Sequence, residues 1–155
     1  MKKLAKLLIF IFIPLFIGFV GGVYNMNGVS VYLSIRLPPL AADSIIFPAA
    51  WAIAFLSLGA GTFAGCGNIK KDWQTLFLYS ISVFFLLLRP FLFFKWGAYW
   101  AAYFATATIW SAGTVYLKET RKTNKTAFYL YLPYMLWMSY MMYFSFGTAV
   151  MNEKL

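Results

Sequence analysis

Five long apolar stretches, separated by short polar connections, run through the 155-residue sequence. A helix needs about 20 mostly apolar residues to cross the roughly 30 Å hydrocarbon core of a bilayer. The strict alternation of polar and apolar residues that is typical of transmembrane β-strands is missing, which favours helices. The sequence therefore predicts an all-α integral membrane protein. We expect a five-transmembrane-helix bundle in a single domain, with helices at residues 7–26, 44–68, 73–88, 96–117 and 126–152.

The composition excludes several classes of protein. Only 11% of the residues are charged and 63% are hydrophobic, whereas a soluble domain carries about 25% charged residues. Histidine is absent and Cys66 is the one cysteine, so the chain can build neither a Cys/His metal cage nor a histidine-ligated haem site. We expect no metal and no cofactor.

The four acidic residues narrow the function further, because all of them lie outside the apolar stretches. Proton-coupled transporters usually carry a carboxylate within the membrane, so this distribution disfavours proton coupling. It also removes the paired carboxylates that acid–base catalysis would use, so an acid–base enzyme is not expected. These residues are Asp43, Asp72, Glu119 and Glu153.

The basic residues indicate how the chain is oriented. The net charge of +9 would suggest nucleic acid in a soluble protein, but in a membrane protein basic residues mark the cytoplasmic loops, and no nucleic-acid partner is expected. Nine of the thirteen Lys and Arg residues lie on the side of the N-terminus if all five stretches span the membrane. This predicts a cytoplasmic N-terminus and an external C-terminus. The nine are Lys2, Lys3, Lys6, Lys70, Lys71, Lys118, Arg121, Lys122 and Lys125.

The first stretch also resembles a secretory signal peptide. Its apolar run is longer than the usual 7–15 residues and lacks a small-residue cleavage site, which favours a retained membrane helix. The Met-Lys-Lys start and the basic cytoplasmic end favour a bacterial inner membrane, and the alternative is the mitochondrial outer membrane.

Two tryptophans lie deeper in their stretches than an interfacial belt requires. Trp51 is followed on the same helical face by Phe55, and Trp137 begins a second stripe. This spacing alone is more typical of helix packing than of a ligand pocket. The residues of the second stripe after Trp137 are Tyr140, Met141 and Phe144.

Arg89, followed by Pro90, lies at the end of an apolar stretch, and two interpretations of its depth in the membrane are open. One interpretation is an arginine at a helix end whose side chain snorkels to the headgroups. The other is an anchor for a ligand carboxylate, which arginine binds with two parallel hydrogen bonds. Position alone favours the first.

Two further patterns concern packing. The connection 25–43 is amphipathic and long enough to fold over the mouth of the bundle, and Pro38 and Pro39 prevent a continuous helix there. The G-x-x-x-G pairs Gly18–Gly22 and Gly61–Gly65 allow close helix approach, either within the bundle or in a dimer.

Three motifs resemble those of the TspO/MBR family, the tryptophan-rich sensory proteins and translocator proteins. The F-P-A-A-W at residues 47–51 is similar to the F-P-P-V-W that starts the family's second helix. Tyr32 and Pro38 have the spacing of the family's W-Y-x-x-L-x-K-P-x-W loop, and residues 133–137 match P-Y-x-x-W. The resemblance covers nearly the whole chain.

The third helix departs from the family's pattern. Our best alignment places Phe93 and Phe94 on its F-F pair. Arg89 then stands where the family has a tryptophan, and Leu86 where it has an asparagine.

The resemblance implies five helices around a pocket, a homodimer, and binding of porphyrins or of isoquinoline-carboxamide and benzodiazepine-type drugs. Trp51 and Trp137 match the tryptophans credited in the family with porphyrin binding and light-dependent porphyrin breakdown. A free-base porphyrin needs no axial ligand, and its propionates would be held by Arg36 or Arg89 near the mouth. The predicted ligand-binding residues are Trp51, Trp137, Tyr32, Phe55, Arg89, Tyr140, Met141 and Phe144.

The sequence thus predicts a membrane receptor or sensor that binds porphyrin or a similar hydrophobic small molecule within the bundle. Two alternatives remain: a light-dependent porphyrin-degrading enzyme, in which the chemistry would be radical chemistry at tryptophan and ligand, and a transporter of lipophilic metabolites.

Overall fold

The computed structural model describes residues 2–66 and 72–152, and no β-strand occurs among them. The prediction of an all-α fold is confirmed for this part of the chain. The described elements are α1 (Lys2–Tyr24), α2 (Gly28–Ser34), α3 (Ile46–Gly65), α4 (Trp73–Pro90), a π-helical segment (Phe91–Lys95), α5 (Tyr99–Thr123) and α6 (Lys125–Asn152).

The number of helices differs from the prediction, because the structure has six α-helices in its described part rather than five. The additional one is α2, a seven-residue helix within the connection 25–43 that buries Tyr32. Some predicted features lie outside the described residues: the end of the second stretch at 67–68, and Lys70, Lys71 and Glu153.

Within residues 2–66 and 72–152, three helical stretches are long and apolar enough to cross a membrane by length and composition. They are Lys3–Tyr24, Ile46–Gly65 and Trp73–Lys95. Helices α5 and α6 have 25 and 28 residues, which is also enough to cross a bilayer, although they are richer in polar and tyrosine side chains.

The five longer helices form a ring. Helix α1 packs against α3 and α4, α6 packs against α3 and α5, and α5 packs against α4. The order around the ring is therefore α1, α3, α6, α5, α4. One end is filled by a tyrosine-rich core, in which the Tyr116 hydroxyl donates to the Gly61 carbonyl (2.6 Å) and the Tyr79 hydroxyl to the Phe10 carbonyl (2.8 Å).

The predicted small-residue pairs are used inside the chain's own bundle. A Cβ atom on Gly61 would lie 2.9 Å from the Tyr131 side chain, and one on Gly65 would lie 2.1 Å from the Tyr116 hydroxyl. A Cβ atom on Gly18 would meet the Phe55 ring at 2.3 Å, whereas one on Gly22 would meet nothing within 4 Å. Glycine at three of the four positions thus lets neighbouring helices approach closely.

The chain remains helical beyond Pro90, the last residue of α4. Proline lacks a backbone N–H, but the chain continues as a π-helical segment in which the Trp96 N–H donates to the Phe91 carbonyl (3.0 Å). The helical rod therefore extends to Lys95, seven residues beyond the predicted end at residue 88, before Gly97 turns the chain with a positive φ of 62°.

Candidate ligand-binding pocket

A pocket of about 570 Å³ opens at the end of the ring opposite the tyrosine-rich core. Its walls come from the C-terminal half of α1, from α2, from the start of α3, from the end of α4 and the π-helical segment, and from Met141 and Phe144 of α6. The volume lies within the range of about 300–1,000 Å³ that is typical of small-molecule sites.

The wall opposite α1 is aromatic. Rings from α3, α6 and the π-helical segment surround the space, and α1 faces them with glycines and with the apolar side chains of Leu15, Ile17 and Phe19. We call the space between this face of α1 and the rings the slot. The rings are Phe47, Trp51, Phe55, Phe93, Phe94 and Phe144, and the glycines are Gly18, Gly21 and Gly22.

The pocket brings together six of the eight predicted ligand-binding residues. These six line the space, while Trp137 and Tyr140 do not. The six are Tyr32, Trp51, Phe55, Arg89, Met141 and Phe144.

Trp137 lies behind the pocket wall and supports it. Its ring meets Trp51 edge-on, with 5.9 Å between ring centroids and 84° between planes, and meets Phe47 edge-on at 5.6 Å. On its other side it stacks on Tyr140 at 5.2 Å. Its buried Nε1 has no hydrogen-bond partner among the described residues. Trp137 therefore fixes the position of Trp51 without entering the pocket.

Tyr140 holds a surface segment, residues 36–42, which we call the strap. The Tyr140 hydroxyl accepts a hydrogen bond from the Ala42 N–H (2.7 Å), and the Tyr143 hydroxyl donates to the Pro39 carbonyl. The Asn152 side chain accepts from the Arg36 N–H (2.8 Å) and donates to the Arg36 carbonyl (2.7 Å). Three side chains of α6 thus dock the strap over the pocket end of the bundle.

Tyr32 connects α2, the strap and the pocket. Its ring stacks on Phe144 (5.9 Å, 15°) and meets Phe47 edge-on (5.5 Å), and its hydroxyl donates to the Ala42 carbonyl. Burial raises the pKa of the Tyr32 hydroxyl, and the nearby Tyr140 and Asp43 raise it further. The hydroxyl therefore keeps its proton at neutral pH and remains a donor to the strap.

Arg89 is buried in the bundle and does not snorkel. Its side chain is only 6% exposed, because the π-helical segment carries the rod five residues past Pro90 and leaves Arg89 well inside it. Its Nε donates to Thr106 Oγ1 (2.9 Å) and its Nη2 to Ser145 Oγ (3.0 Å). Among the described residues that line the pocket, Arg89 is the only charged one; Arg36 is exposed on the strap.

Several residues at the site were not among the predicted ligand-binding residues. Phe93 and Phe94 follow Arg89 by four and five positions, and this spacing could have indicated that they lie near it. Pro90 stands between Arg89 and these rings, however, and indicated that the helix ends there. Thr106 and Ser145 carried no signal, since an isolated hydroxyl in an apolar helix most often bonds to its own backbone.

The fold and the pocket define a class: an α-helical membrane protein with an aromatic cavity inside its bundle. The model of the TspO/MBR family matches residues 10–151, and the chain belongs to this family. The resemblance found in the motifs is thereby confirmed. At the family level, the protein is an integral membrane protein of the class that senses or binds hydrophobic ligands. A search of curated proteins finds no significant match.

Proposed function

We propose that this protein is a membrane receptor that binds a flat, hydrophobic ligand of the porphyrin type in the pocket beside Trp51. The observation that carries the proposal is the slot itself, with aromatic rings on one side and the glycines and apolar side chains of α1 on the other. A flat macrocycle stacks on such rings, and each aromatic pair contributes about 0.5–1.5 kcal/mol beyond the burial of area.

The packing around Trp51 supports a preorganised site. The ring lies 5.1 Å from Phe55 on its own helix and is held from behind by Trp137 at 5.9 Å. A ring that is already fixed loses little rotamer freedom when a ligand stacks on it, so more of the stacking energy contributes to affinity.

The membrane setting is part of the proposal. Helices α1, α3, α4, α5 and α6 each cross the bilayer once, and α2 and the strap lie at the outer end, above the pocket. The N-terminus is cytoplasmic, the membrane is the inner membrane of a bacterial cell, and the protein forms the homodimer that the family resemblance implies. The distribution of basic residues and the lengths of these helices support this arrangement.

The proposal is tested by titrating the purified full-length protein in detergent with protoporphyrin and recording tryptophan fluorescence. Saturable quenching is expected, and Trp51→Leu should weaken binding by roughly tenfold because it removes the central ring of the wall. Trp73→Leu is the matched control, since Trp73 is 69% exposed at the start of α4 and does not line the pocket. Non-saturable quenching, or equal affinity in the two variants, would contradict the proposal.

A further inference from the structure

Arg89 carries a buried positive charge that no carboxylate balances in the described part of the chain. Its side-chain contacts there are two hydroxyls and two aromatic rings. A guanidinium has five N–H groups, and two of them donate to the hydroxyls, which leaves three without an acceptor among the described residues. Burying a charge without a counter-charge is costly, so such an arrangement calls for an anion.

The two hydroxyls orient the guanidinium without neutralising it. Thr106 Oγ1 donates its own hydrogen to the Ala102 carbonyl (2.8 Å), and it therefore accepts from Arg89 Nε. Ser145 Oγ lies 3.4 Å from Thr106 Oγ1, which has no hydrogen left to give, so Ser145 is the donor in that contact and accepts from Arg89 Nη2. Helices α5 and α6 thus hold one edge of the guanidinium in a fixed direction.

The rings next to Arg89 are the rings of the pocket. Its Cζ lies 5.9 Å from the centroid of Trp51 and 5.6 Å from that of Phe93. These cation–π contacts offset part of the cost of burial, but they bring no negative charge. A ligand that stacks on Trp51 therefore lies within reach of the guanidinium, and no acidic side chain lines the described pocket to compete for it.

We propose that Arg89 binds the carboxylate of the ligand, so that the pocket selects flat apolar acids over their neutral esters. This inference rests on the proposed function of the pocket as a ligand site and adds the chemical class of the ligand. The carboxylate accepts two parallel hydrogen bonds from the remaining N–H groups of Arg89, and the apolar body fills the slot between Trp51 and α1.

The same geometry disfavours other ligands. A neutral ligand leaves the guanidinium without a counter-charge after the pocket water is displaced, and a cationic ligand adds repulsion in surroundings of low dielectric constant. Arg36 does not share the role, because its side chain is exposed on the strap and does not line the pocket.

The test compares two acids with their esters: 1-pyrenebutyric acid with its methyl ester, and protoporphyrin with its dimethyl ester. Quenching of tryptophan fluorescence gives the affinity of each for the full-length protein in detergent. We expect the wild type to bind 1-pyrenebutyric acid roughly ten- to a hundredfold more tightly than its ester, as for a hydrogen bond to a charged group. Arg89→Gln should abolish the preference, because the acid loses its charged partner while the ester had none.

Two further variants make the test specific. Arg121→Gln removes an exposed arginine at the other end of the bundle and should keep the full preference. Arg89→Lys keeps the charge but not the planar pair of donors, and should keep only part of the preference. Should Arg89→Gln fail to fold, the acid-to-ester ratios of the wild type and of Arg89→Lys still decide the question.

The outcomes separate the two proposals. If pyrenebutyric acid shows the Arg89-dependent preference and protoporphyrin does not bind, the carboxylate site stands and the porphyrin proposal fails. If protoporphyrin binds saturably but acid and ester bind equally, the pocket function stands and the role of Arg89 is overturned. Loss of the preference in Arg36→Gln instead of Arg89→Gln would overturn it as well.

Discussion

Ser57 of α3 joins two backbone groups of α6, one on each side of Pro133. Its hydroxyl donates to the Leu130 carbonyl (2.6 Å) and accepts from the Tyr134 N–H (3.0 Å), groups that are i and i+4 partners in a regular helix. A side chain inserted into this ladder lets the helix bend, and proline is the usual site of such a bend. Ser57 thus ties α3 to α6 just before Trp137.

Replacing Ser57 by alanine should destabilise the protein by about 1–3 kcal/mol, because a buried donor and a buried acceptor lose their partner. Denaturant-induced unfolding in detergent measures the change. The matched control is Thr108→Ala, which removes a hydroxyl bonded only to its own helix at Phe104 and should stay within about 0.5 kcal/mol of the wild type. Equal effects of the two substitutions would refute the bridging role of Ser57.

Trp51 and Trp137 differ in how they meet the pocket. Trp51 lines it, and Trp137 contacts Trp51 from behind. Both tryptophans match the family motif, so sequence reasoning gives them the same role, whereas the structure separates a ring that faces the ligand from a ring that supports it.

Trp137→Phe should therefore change the affinity for protoporphyrin by less than about threefold. Phenylalanine keeps an edge-on contact with Trp51 and removes an N–H that has no partner in the described part of the chain. Trp51→Phe should lower it more, because a smaller ring then faces the ligand. The fluorescence titration measures both. A larger loss in Trp137→Phe than in Trp51→Phe would contradict the geometry of the pocket wall.

At the scale of elements, the strap depends on α6 for its position. Asn152 binds both backbone groups of Arg36, and Tyr140 and Tyr143 bind backbone groups at Ala42 and Pro39. A segment with so few regular backbone bonds of its own opens more easily than a helix, so its closure is controlled by these side chains.

Asn152→Ala should open the strap and make trypsin cleave after Arg36 several-fold faster, because cleavage follows the population of the open form. The rate is read from the appearance of the fragment that begins at Leu37. Asn124→Ala serves as control, since Asn124 bonds to Ala64 and Ala127 at the other end of the bundle. Cleavage at the wild-type rate in Asn152→Ala would show that the strap is held by other contacts.

The helices also show how much of the fold could be predicted from the sequence. The positions of the long helices and the motif at residues 133–137 follow from apolar length and from family spacing. Helix α2 and the π-helical segment do not, because a seven-residue helix has too few turns for a periodic signal and Pro90 looks like a helix end when its neighbours are unknown. The depth of Arg89 was missed for the same reason.

The site was predictable only in part, because periodicity assigns residues to a face but not to a cavity. Trp137 and Met141 lie on the same stripe of α6, but of these two only Met141 lines the pocket. That choice depends on where the other walls of the pocket lie, and no local pattern on α6 contains this information.

At the scale of the whole molecule, the ring of five long helices has a tyrosine-rich end and a pocket end. The basic residues at the end of α5 and at the start of α6 lie at the tyrosine-rich end, and the strap lies at the pocket end. This asymmetry places the mouth of the pocket on the outer side of the membrane in the proposed topology.

A reporter enzyme that works only outside the cytoplasm should therefore be active when fused after Leu155, and a reporter that works only in the cytoplasm should be silent there. Fusions in the connection after α5, at Asn124, should give the opposite pattern. The reverse result at both positions would invert the topology and place the pocket mouth on the cytoplasmic side.

The most direct measurement of the central claim is an experimental structure of the protein with protoporphyrin bound. The account predicts the macrocycle in the slot between α1 and Trp51, stacked on the aromatic wall, with one propionate at hydrogen-bond distance from Arg89, about 2.7–2.9 Å. A macrocycle bound on the outer surface of the bundle or between two copies, with the slot beside Trp51 empty of ligand, would contradict it.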